Sequence, residues 1–178
     1  HVIRGEDHIS NTPKQILIQE ALNFKRPQYA HIPLTLGPDK TKLSKRHGAT
    51  AISEYREQGY LPEALINFMA LLGWNPGEGD DREAFSLKEL EKEFSIEKMN
   101  KSAAIFNIEK LDWFNGYYIR KMPLKKLTKM CIPYLKRANL YVDVEKNIVR
   151  LAQPCKLHNI SHIVRLEQPR LRKLSEIG

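Results

Sequence analysis

Residues 2–36 have a strand–helix–strand pattern, which restricts the fold more than any other feature of the sequence. Val2 and Ile3 are predicted to be the last residues of a buried strand, and a polar turn follows them. Thr12 and Pro13 are typical of the N-cap and the first position of a helix. Residues 29–36 are rich in apolar and β-branched side chains, as in a second strand. Two strands joined through a helix can lie parallel, so we predict an α/β unit that binds ligands at the carboxyl ends of its strands.

Beyond residue 50 the pattern becomes helical. One helix is predicted to end at Gly59, because glycine is common just after a helix, and Ser86 opens another with the capping-box spacing to Glu89. Apolar residues at helical spacing predict further helices near 61–72, 108–118, 124–137, 143–152 and 159–167. The last three amphipathic stretches show no strand signal. We therefore expect a mainly α chain with a small α/β part.

Composition indicates a soluble globular protein, since 42% of the residues are hydrophobic and 28% are charged. No apolar run approaches the length that crosses a bilayer, so we expect a cytoplasmic protein with no membrane partner. Cys131 and Cys155 form no C-x-x-C motif, which suits a reducing compartment. The chain begins at His1 without an initiator Met, and we expect it to be a fragment of a longer protein. We expect that protein to be a monomer.

Positive charge is concentrated in the last third. Residues 1–118 contain 15 Lys and Arg against 17 Asp and Glu, whereas residues 119–178 contain 14 against 4, a net charge of +10. Such an excess favours a polyanionic partner, because each phosphate that Lys or Arg neutralises releases condensed counterions. A solvated basic face explains the charge equally well.

A zinc site also has to be considered. Cys155, His158 and His162 have C-x2-H-x3-H spacing, and Cys131 could complete a tetrahedral set. Zinc fingers pair two closely spaced cysteines, however, whereas a whole predicted helix separates these two. We expect no zinc and no other resident metal.

The polar loop after the second predicted strand carries the residues with the clearest chemistry. Four cations lie within seven residues, and the sequence Lys42, Leu43, Ser44, Lys45, Arg46 follows Gly37-Pro38-Asp39-Lys40. Two lysines three residues apart can converge on one triphosphate, with the Ser44 hydroxyl and loop N–H groups as further donors. On these residues alone, a solvated basic loop is the commoner explanation.

Three further blocks change that balance. Residues 42–46 resemble the KMSKS signature of class I aminoacyl-tRNA synthetases, in the form typical of the glutamyl branch. Residues 1–13 resemble the stretch that closes the amino-acid pocket in those enzymes, residues 61–74 the helix after the signature loop, and residues 106–120 the stem-contact segment. Four blocks in the family's order are far more specific than one. The chain is therefore identified as resembling the bacterial-type glutamyl-tRNA synthetases.

The resemblance implies a function for individual residues. Lys45 would be the principal ATP contact, assisted by Lys42 and Ser44, while ATP with Mg²⁺ and L-glutamate form glutamyl-adenylate. Arg4 would pair with the side-chain carboxylate of glutamate; the alternative is a structural salt bridge. Asp7 would either face the ribose or cap the next helix.

The same resemblance implies tRNA(Glu) as the partner that receives glutamate. Arg165, Arg170 and Arg172 lie where the anticodon-binding helices of the family begin, and we expect them to contact the tRNA. Aromatic residues at helical spacing are more often core than base-stacking, so Trp113 is assigned to packing and Tyr117 is left open.

The family's other signature, the HIGH motif, is absent from the sequence and would lie upstream. We therefore expect residues 1–45 to be the C-terminal part of a Rossmann-type catalytic domain. Residues 46–120 would form a helical stem-contact domain, and residues 121–178 the basic, helical start of the anticodon-binding region. The chain alone would then be inactive.

Three rival functions remain. A glutaminyl-tRNA synthetase has a similar signature loop, but its following domains resemble β-barrels, whereas a basic helical tail is predicted here. The glutamyl-queuosine tRNA synthetase lacks an anticodon domain, which residues 121–178 argue against. A non-catalytic tRNA-binding module is the rival from another class.

Overall fold

The structure is a computed structural model that describes residues 1–48, 51–138, 140–143, 145, 148–150 and 157–177. The chain divides into two compact units. Unit 1 comprises His1–Gly48 and Met69–Asn107, and unit 2 comprises Ala49–Phe68 and Ile108–Gly178. Unit 2 is therefore interrupted in sequence by a part of unit 1.

Unit 1 opens with the predicted α/β unit. Strands β1 (Val2–Gly5) and β2 (Tyr29–Ile32) pair in parallel, and helix α1 (Thr12–Ala21) connects them after a 3₁₀ helix (Glu6–Asn11). The parallel pairing confirms the prediction. β2 ends four residues earlier than predicted, because Pro33 has no N–H to donate to a neighbouring strand. Ile3 is 49% exposed, so the prediction that β1 is a buried strand was wrong.

A small aromatic core lies elsewhere in unit 1. Trp74 and Phe85 are buried with their rings 5.8 Å apart in an edge arrangement, and Leu90 of helix α4 (Leu87–Glu93) packs with them. The predicted capping box at the start of the helix is confirmed. Ser86 Oγ accepts from the Glu89 N–H at 3.3 Å, and Glu89 Oε2 accepts from the Ser86 N–H at 2.7 Å.

Unit 2 is built mainly from helices, which are α2 (Ile52–Glu57), α3 (Pro62–Gly73), α5 (Ile108–Lys121), α6 (Leu124–Arg137) and α7 (Ile160–Glu167). The last turn of α3 belongs to unit 1. The fully buried apolar side chains of unit 2 include Leu61, Leu111, Phe114, Ile119, Leu127, Leu135, Ile160 and Val164. Each contributes about 1.5–3 kcal/mol by leaving water.

Asn115 is a fully buried polar residue in this core. Its Oδ1 accepts from the Leu61 N–H at 2.8 Å, and its Nδ2 donates to the carbonyls of Gly59 at 3.3 Å and Arg172 at 2.5 Å. One amide therefore joins three backbone segments that are distant in sequence.

Gly59 allows the C-terminal segment to approach closely. The Leu174 N–H donates to the Gly59 carbonyl at 3.0 Å, and the Ser175 hydroxyl donates to the Gln58 carbonyl at 2.7 Å. A Cβ atom at Gly59 would lie 2.5 Å from the Ser175 nitrogen, and the φ of +91° also favours glycine. The predicted helix end at Gly59 is confirmed.

Residues 143–152 were predicted to be helical, and this prediction was wrong where the structure describes them. Strands β3 (Tyr141–Asp143), β4 (Ile148–Arg150) and β5 (Leu157–Asn159) form an antiparallel sheet in which Val142 lies opposite Val149. Short apolar runs fit a helix or a strand equally well by periodicity. The β-branched Val142, Ile148 and Val149 favour the strand.

Among the described residues, no helix is both long enough and apolar enough to cross a membrane.

Candidate functional site

The polar loop at residues 37–48 starts from a rigid base in unit 1. The Leu36 N–H donates to the Ala104 carbonyl at 2.9 Å, and the Leu36 carbonyl accepts from the Phe106 N–H at 2.8 Å. On the other side, the Leu43 N–H donates to the Thr35 carbonyl at 3.0 Å. Both ends of the segment that leads into Ser44 are therefore fixed by backbone hydrogen bonds.

His47 fills the interior of this loop. The ring Nδ1 accepts from the Ser44 N–H at 3.1 Å, and the backbone N–H of His47 donates to the Ser44 carbonyl at 2.9 Å. The ring packs against Gly37, where a Cβ atom would lie 2.8–2.9 Å from three ring atoms. Only 9% of the His47 side chain is exposed. The His47 ring is thus the buried side chain around which this short loop folds.

Asp39 ties the loop together from its outer side. Its Oδ1 accepts from the Thr41 hydroxyl at 2.7 Å and the Thr41 N–H at 3.0 Å, and it lies 3.1 Å from His47 Nε2. Its Oδ2 pairs with Arg46 Nη2 at 3.1 Å. The hydrogen bonds from Thr41, followed by that from His47, hold the pKa of Asp39 far below its ordinary value.

The predicted ATP-binding cations have different surroundings. Lys42 Nζ pairs with Asp7 Oδ2 at 2.7 Å, and Arg46 is held by Asp39 and by the Thr41 hydroxyl, which accepts at 2.6 Å. Lys45 is exposed, and its ammonium group pairs with none of the residues that the structure describes. The loop therefore presents Lys45 outwards while Lys42 and Arg46 are engaged.

Asp7 contacts the signature loop instead of a helix end. The hydrogen bond from Lys42 lowers the pKa of the Asp7 carboxyl. Neither the 3₁₀ helix at Glu6–Asn11 nor α1 has a side-chain cap, so the alternative that Asp7 caps the next helix was wrong. Its contact with a ribose stays a prediction.

Arg4 lies at the carboxyl end of β1. Its Nη2 donates to the Thr12 hydroxyl at 2.7 Å, its Nε lies 3.4 Å from His31 Nε2, and its guanidinium lies 5.1 Å from the centre of the Tyr29 ring. No ion pair joins Arg4 to a carboxylate in the described part of the chain, and its pairing with glutamate stays a prediction.

An apolar groove of about 500 Å³ lies beside α1. Thr12 and His31, which hold Arg4, contribute to its lining together with Ile16 and Leu17. Its surface is mostly apolar and carries no Lys or Arg, which suits an apolar group better than a triphosphate.

No group of three or more described His, Cys, Asp or Glu residues could hold a metal ion. Of the four residues considered as zinc ligands, Cys155 lies outside the described residues. Cys131 is buried in α6, and this burial raises the pKa of its thiol to about 12. The absence of zinc stays a prediction.

The basic residues of unit 2 lie on its surface. Arg165, Arg170 and Arg172 have exposed side chains. On α6, Lys125, Lys129 and Lys136 are exposed and share one face of the helix, because their spacing brings them within about 40° of one another around its axis. Such a row of cations can contact successive phosphates.

Trp113 was predicted to be a packing residue, and this prediction was wrong in part. Its ring stacks on Tyr117 at 5.8 Å and meets Phe114 edge-on at 5.0 Å, yet the residue is 48% exposed. The core face of α5 contains Leu111 and Phe114, and Trp113 lies beside that face. Tyr117 carries the Lys121 ammonium group 4.3 Å from its ring centre.

Sequence reasoning missed Asp39 and His47 as parts of the site. Gly37, the "Asp–x–Thr" pattern at residues 39–41 and the histidine directly after the signature were visible signals. An aspartate two residues before a threonine commonly closes a turn through the Thr N–H.

Comparisons with known proteins agree with the family resemblance of the sequence. Residues 1–113 match the family model for the catalytic domain of class I tRNA synthetases (E and Q). A glutamate–tRNA ligase of Desulforamulus reducens is 51% identical over 152 residues, which are 85% of this chain and 31% of the relative. The glutamate–tRNA ligase of Aquifex aeolicus is 58% identical over 139 residues, or 78% of this chain and 29% of the relative.

Solved structures give the same picture. Glutamate–tRNA synthetase from Elizabethkingia anophelis superposes with a TM-score of 0.77 at 34% identity, covering 99% of this chain and 36% of that one. A glutamate–tRNA ligase from Elizabethkingia meningosepticum, solved in complex with its amino acid, gives a TM-score of 0.76. The chain spans about a third of the length of these relatives.

Proposed function

Because this chain belongs to the class I glutamyl- and glutaminyl-tRNA synthetase family, we propose that it is part of an enzyme that ligates glutamate to tRNA(Glu). The full-length enzyme first joins L-glutamate to ATP, which enters with Mg²⁺, and then transfers the glutamyl group to the tRNA 3′ end. The observation that carries this proposal is the braced loop that presents Lys45 outwards. Residues 1–45, 46–120 and 121–178 are proposed as its catalytic, stem-contact and anticodon-binding parts, in a monomer in the cytoplasm.

ATP binding falls to the loop at residues 42–46. Lys45 is proposed as the principal contact of the triphosphate, because its charge is exposed and has no competing partner among the described residues. Lys42 assists by exchanging Asp7 for a phosphate oxygen. The Ser44 hydroxyl can donate to a phosphate oxygen, whereas the guanidinium of Arg46 holds Asp39 and contributes mainly charge.

Glutamate recognition is assigned to Arg4. The bonds to Thr12 and His31 use two of the five N–H donors of its guanidinium, so three remain for a carboxylate. The cation–π contact with the Tyr29 ring, 5.1 Å from the guanidinium carbon, helps to hold the side chain before the substrate arrives. A carboxylate satisfies these donors better than the amide of glutamine does, which favours glutamate.

The first test of this proposal is catalytic. The full-length protein should exchange pyrophosphate into ATP when glutamate and tRNA are present, and far less when glutamine replaces glutamate. Residues 1–178 alone should not catalyse this exchange, which leaves a non-catalytic tRNA-binding module as the description of the isolated chain. Exchange driven equally by both amino acids would contradict the assignment of Arg4, and no exchange at all would contradict the proposed reaction.

Binding of tRNA by the basic surface gives a second prediction. The logarithm of the affinity of the full-length protein for tRNA should fall linearly with the logarithm of salt concentration. Replacing Lys125, Lys129 and Lys136 together by Ala should reduce the magnitude of that slope by up to about 3, since each lost phosphate contact removes about 1. Titrations at several salt concentrations measure the slope.

The matched control replaces Lys88, Lys92 and Lys101 by Ala. These lysines are exposed in unit 1, and their replacement lowers the net charge by the same amount. An equal change of slope in both triple variants would show that net charge, and not the α6 surface, governs binding. Truncation near Arg120 is a poorer test, because it removes the Arg172 and Leu174 backbone groups that pair with Asn115 and Gly59.

A further inference from the structure

We propose that His47 and Asp39 are positioning residues, which set the shape of the signature loop so that Lys42 and Lys45 can converge on one triphosphate. This inference rests on the proposed function. Neither residue belongs to the signature itself, and both join the beginning of the loop to its end.

The contacts of His47 connect the two ends directly. Its ring packs on Gly37 and lies 3.1 Å from Asp39 at the start of the loop, while its Nδ1 accepts from the Ser44 N–H inside the signature. Lys45 follows Ser44 directly and begins the 3₁₀ turn Lys45–His47. The direction in which Lys45 leaves the backbone is therefore fixed by the imidazole.

Hydrogen bonding determines which ring nitrogen carries the proton. The Ser44 N–H can only donate, so Nδ1 must be an acceptor and the proton lies on Nε2, facing the Asp39 carboxylate. Arg46 Nε also approaches Nε2, at 3.3 Å, but a neutral imidazole cannot accept at both nitrogens. The shorter contacts to Ser44 and Asp39 favour the arrangement in which Asp39 orients the ring.

A direct role in binding ATP does not fit His47. Both ring nitrogens are engaged within the loop, and only 9% of the side chain is exposed. Asp39 carries a negative charge that would repel phosphates, and its contacts with Thr41 and Arg46 face the loop. Both residues therefore act through the lysines.

The test uses the full-length protein and the kinetics of glutamate-dependent ATP–pyrophosphate exchange with tRNA present. His47→Ala should lower kcat about 10- to 100-fold at saturating ATP, because displacing a catalytic group by about 1 Å costs this much. His47→Asn should recover part of the loss, since its Oδ1 can accept from the Ser44 N–H. A merely structural role would give parallel losses in both variants and in thermal stability.

Gly37→Ala tests the same contact between Gly37 and the His47 ring by changing the glycine instead of the histidine. Its Cβ would collide with the His47 ring at 2.8–2.9 Å, so kcat should fall as in His47→Ala. Combining it with His47→Ala should cost little more than His47→Ala alone, because the ring that caused the collision is gone. Gly73→Ala is the matched control, since a Cβ there meets nothing within 4 Å.

Deuterium uptake by residues 44–48 measures how firmly His47 holds the loop, without any catalytic assay. It should rise in His47→Ala, since Ser44 N–H loses its acceptor, and should return towards the wild-type rate in His47→Asn. Unchanged uptake and unchanged kcat in His47→Ala, or fully multiplicative losses in the double variant, would overturn the inference. An inactive wild-type protein with the expected uptake pattern would instead refute the proposed function.

Discussion

Replacing Lys45 by Ala in the full-length enzyme should lower kcat for glutamate-dependent ATP–pyrophosphate exchange by about 100- to 1,000-fold, the usual cost of one preorganised electrostatic contact. The dissociation constant for glutamate should change by less than about threefold. The ammonium group acts on charge that develops on the leaving pyrophosphate, and therefore stabilises the transition state more than the bound substrates. Exchange kinetics and glutamate binding, measured on the same preparation, separate the two effects.

Lys40→Ala is the matched control for this change. Lys40 belongs to the same loop and is exposed, but it precedes the signature and lies in the turn at the loop's start, with a φ of 59°. Its loss should reduce kcat by less than about threefold, since only general charge is removed. Equal losses of kcat and of glutamate affinity in Lys45→Ala would contradict its assigned contact.

The second large effect concerns stability. Asn115→Ala should lower the free energy of unfolding of unit 2 by about 3–5 kcal/mol. The change leaves the Leu61 N–H and the carbonyls of Gly59 and Arg172 without the partner that now serves all three, and each buried unpaired group costs about 1–3 kcal/mol. Urea unfolding monitored by far-UV circular dichroism measures the loss.

Asn75→Ala serves as the control for Asn115. Asn75 donates to Asn100 at 2.8 Å on the surface of unit 1, so its replacement should cost less than about 0.5 kcal/mol. Asn115→Asp retains the acceptor for Leu61 but loses both donors, and should be nearly as destabilising as Ala. A loss below 1 kcal/mol in Asn115→Ala would mean that water replaces the amide without penalty.

Local patterns were sufficient to predict the α/β unit and the helix ends near Pro13, Ser86 and Gly59, although Thr12, the predicted N-cap, is the first residue of α1. Pro13, the capping box at Ser86 and Glu89, and Gly59 each act through neighbouring backbone, so their effects are encoded within a few residues. The strand at Ile148–Arg150 was not predicted, because three residues carry too little periodicity to separate a strand from a helix.

The predicted site residues have partners that no local pattern revealed. Asp7 and Lys42 are 35 residues apart, and Arg4 meets His31 across 27 residues, so only the fold brings each pair together. His47 matters because Gly37 leaves room for its ring, a steric fact that depends on how the loop folds back. Spacing could identify the residue types for phosphate binding, but not which cations would already be engaged.

The hydrogen bonds that Leu174 and Ser175 donate to the carbonyls of Gly59 and Gln58 have a consequence for folding during synthesis. The Gly59 carbonyl receives its hydrogen bonds from Asn115 and Leu174, and the Gln58 carbonyl receives one from Ser175. Until Leu174 and Ser175 have left the ribosome, the buried Gly59 carbonyl has only Asn115 as a partner, and the exposed Gln58 carbonyl lacks its bond from Ser175. Within this chain, unit 1 ends at Asn107. We therefore expect the nascent chain to complete unit 1 first, although part of unit 2 is translated before it.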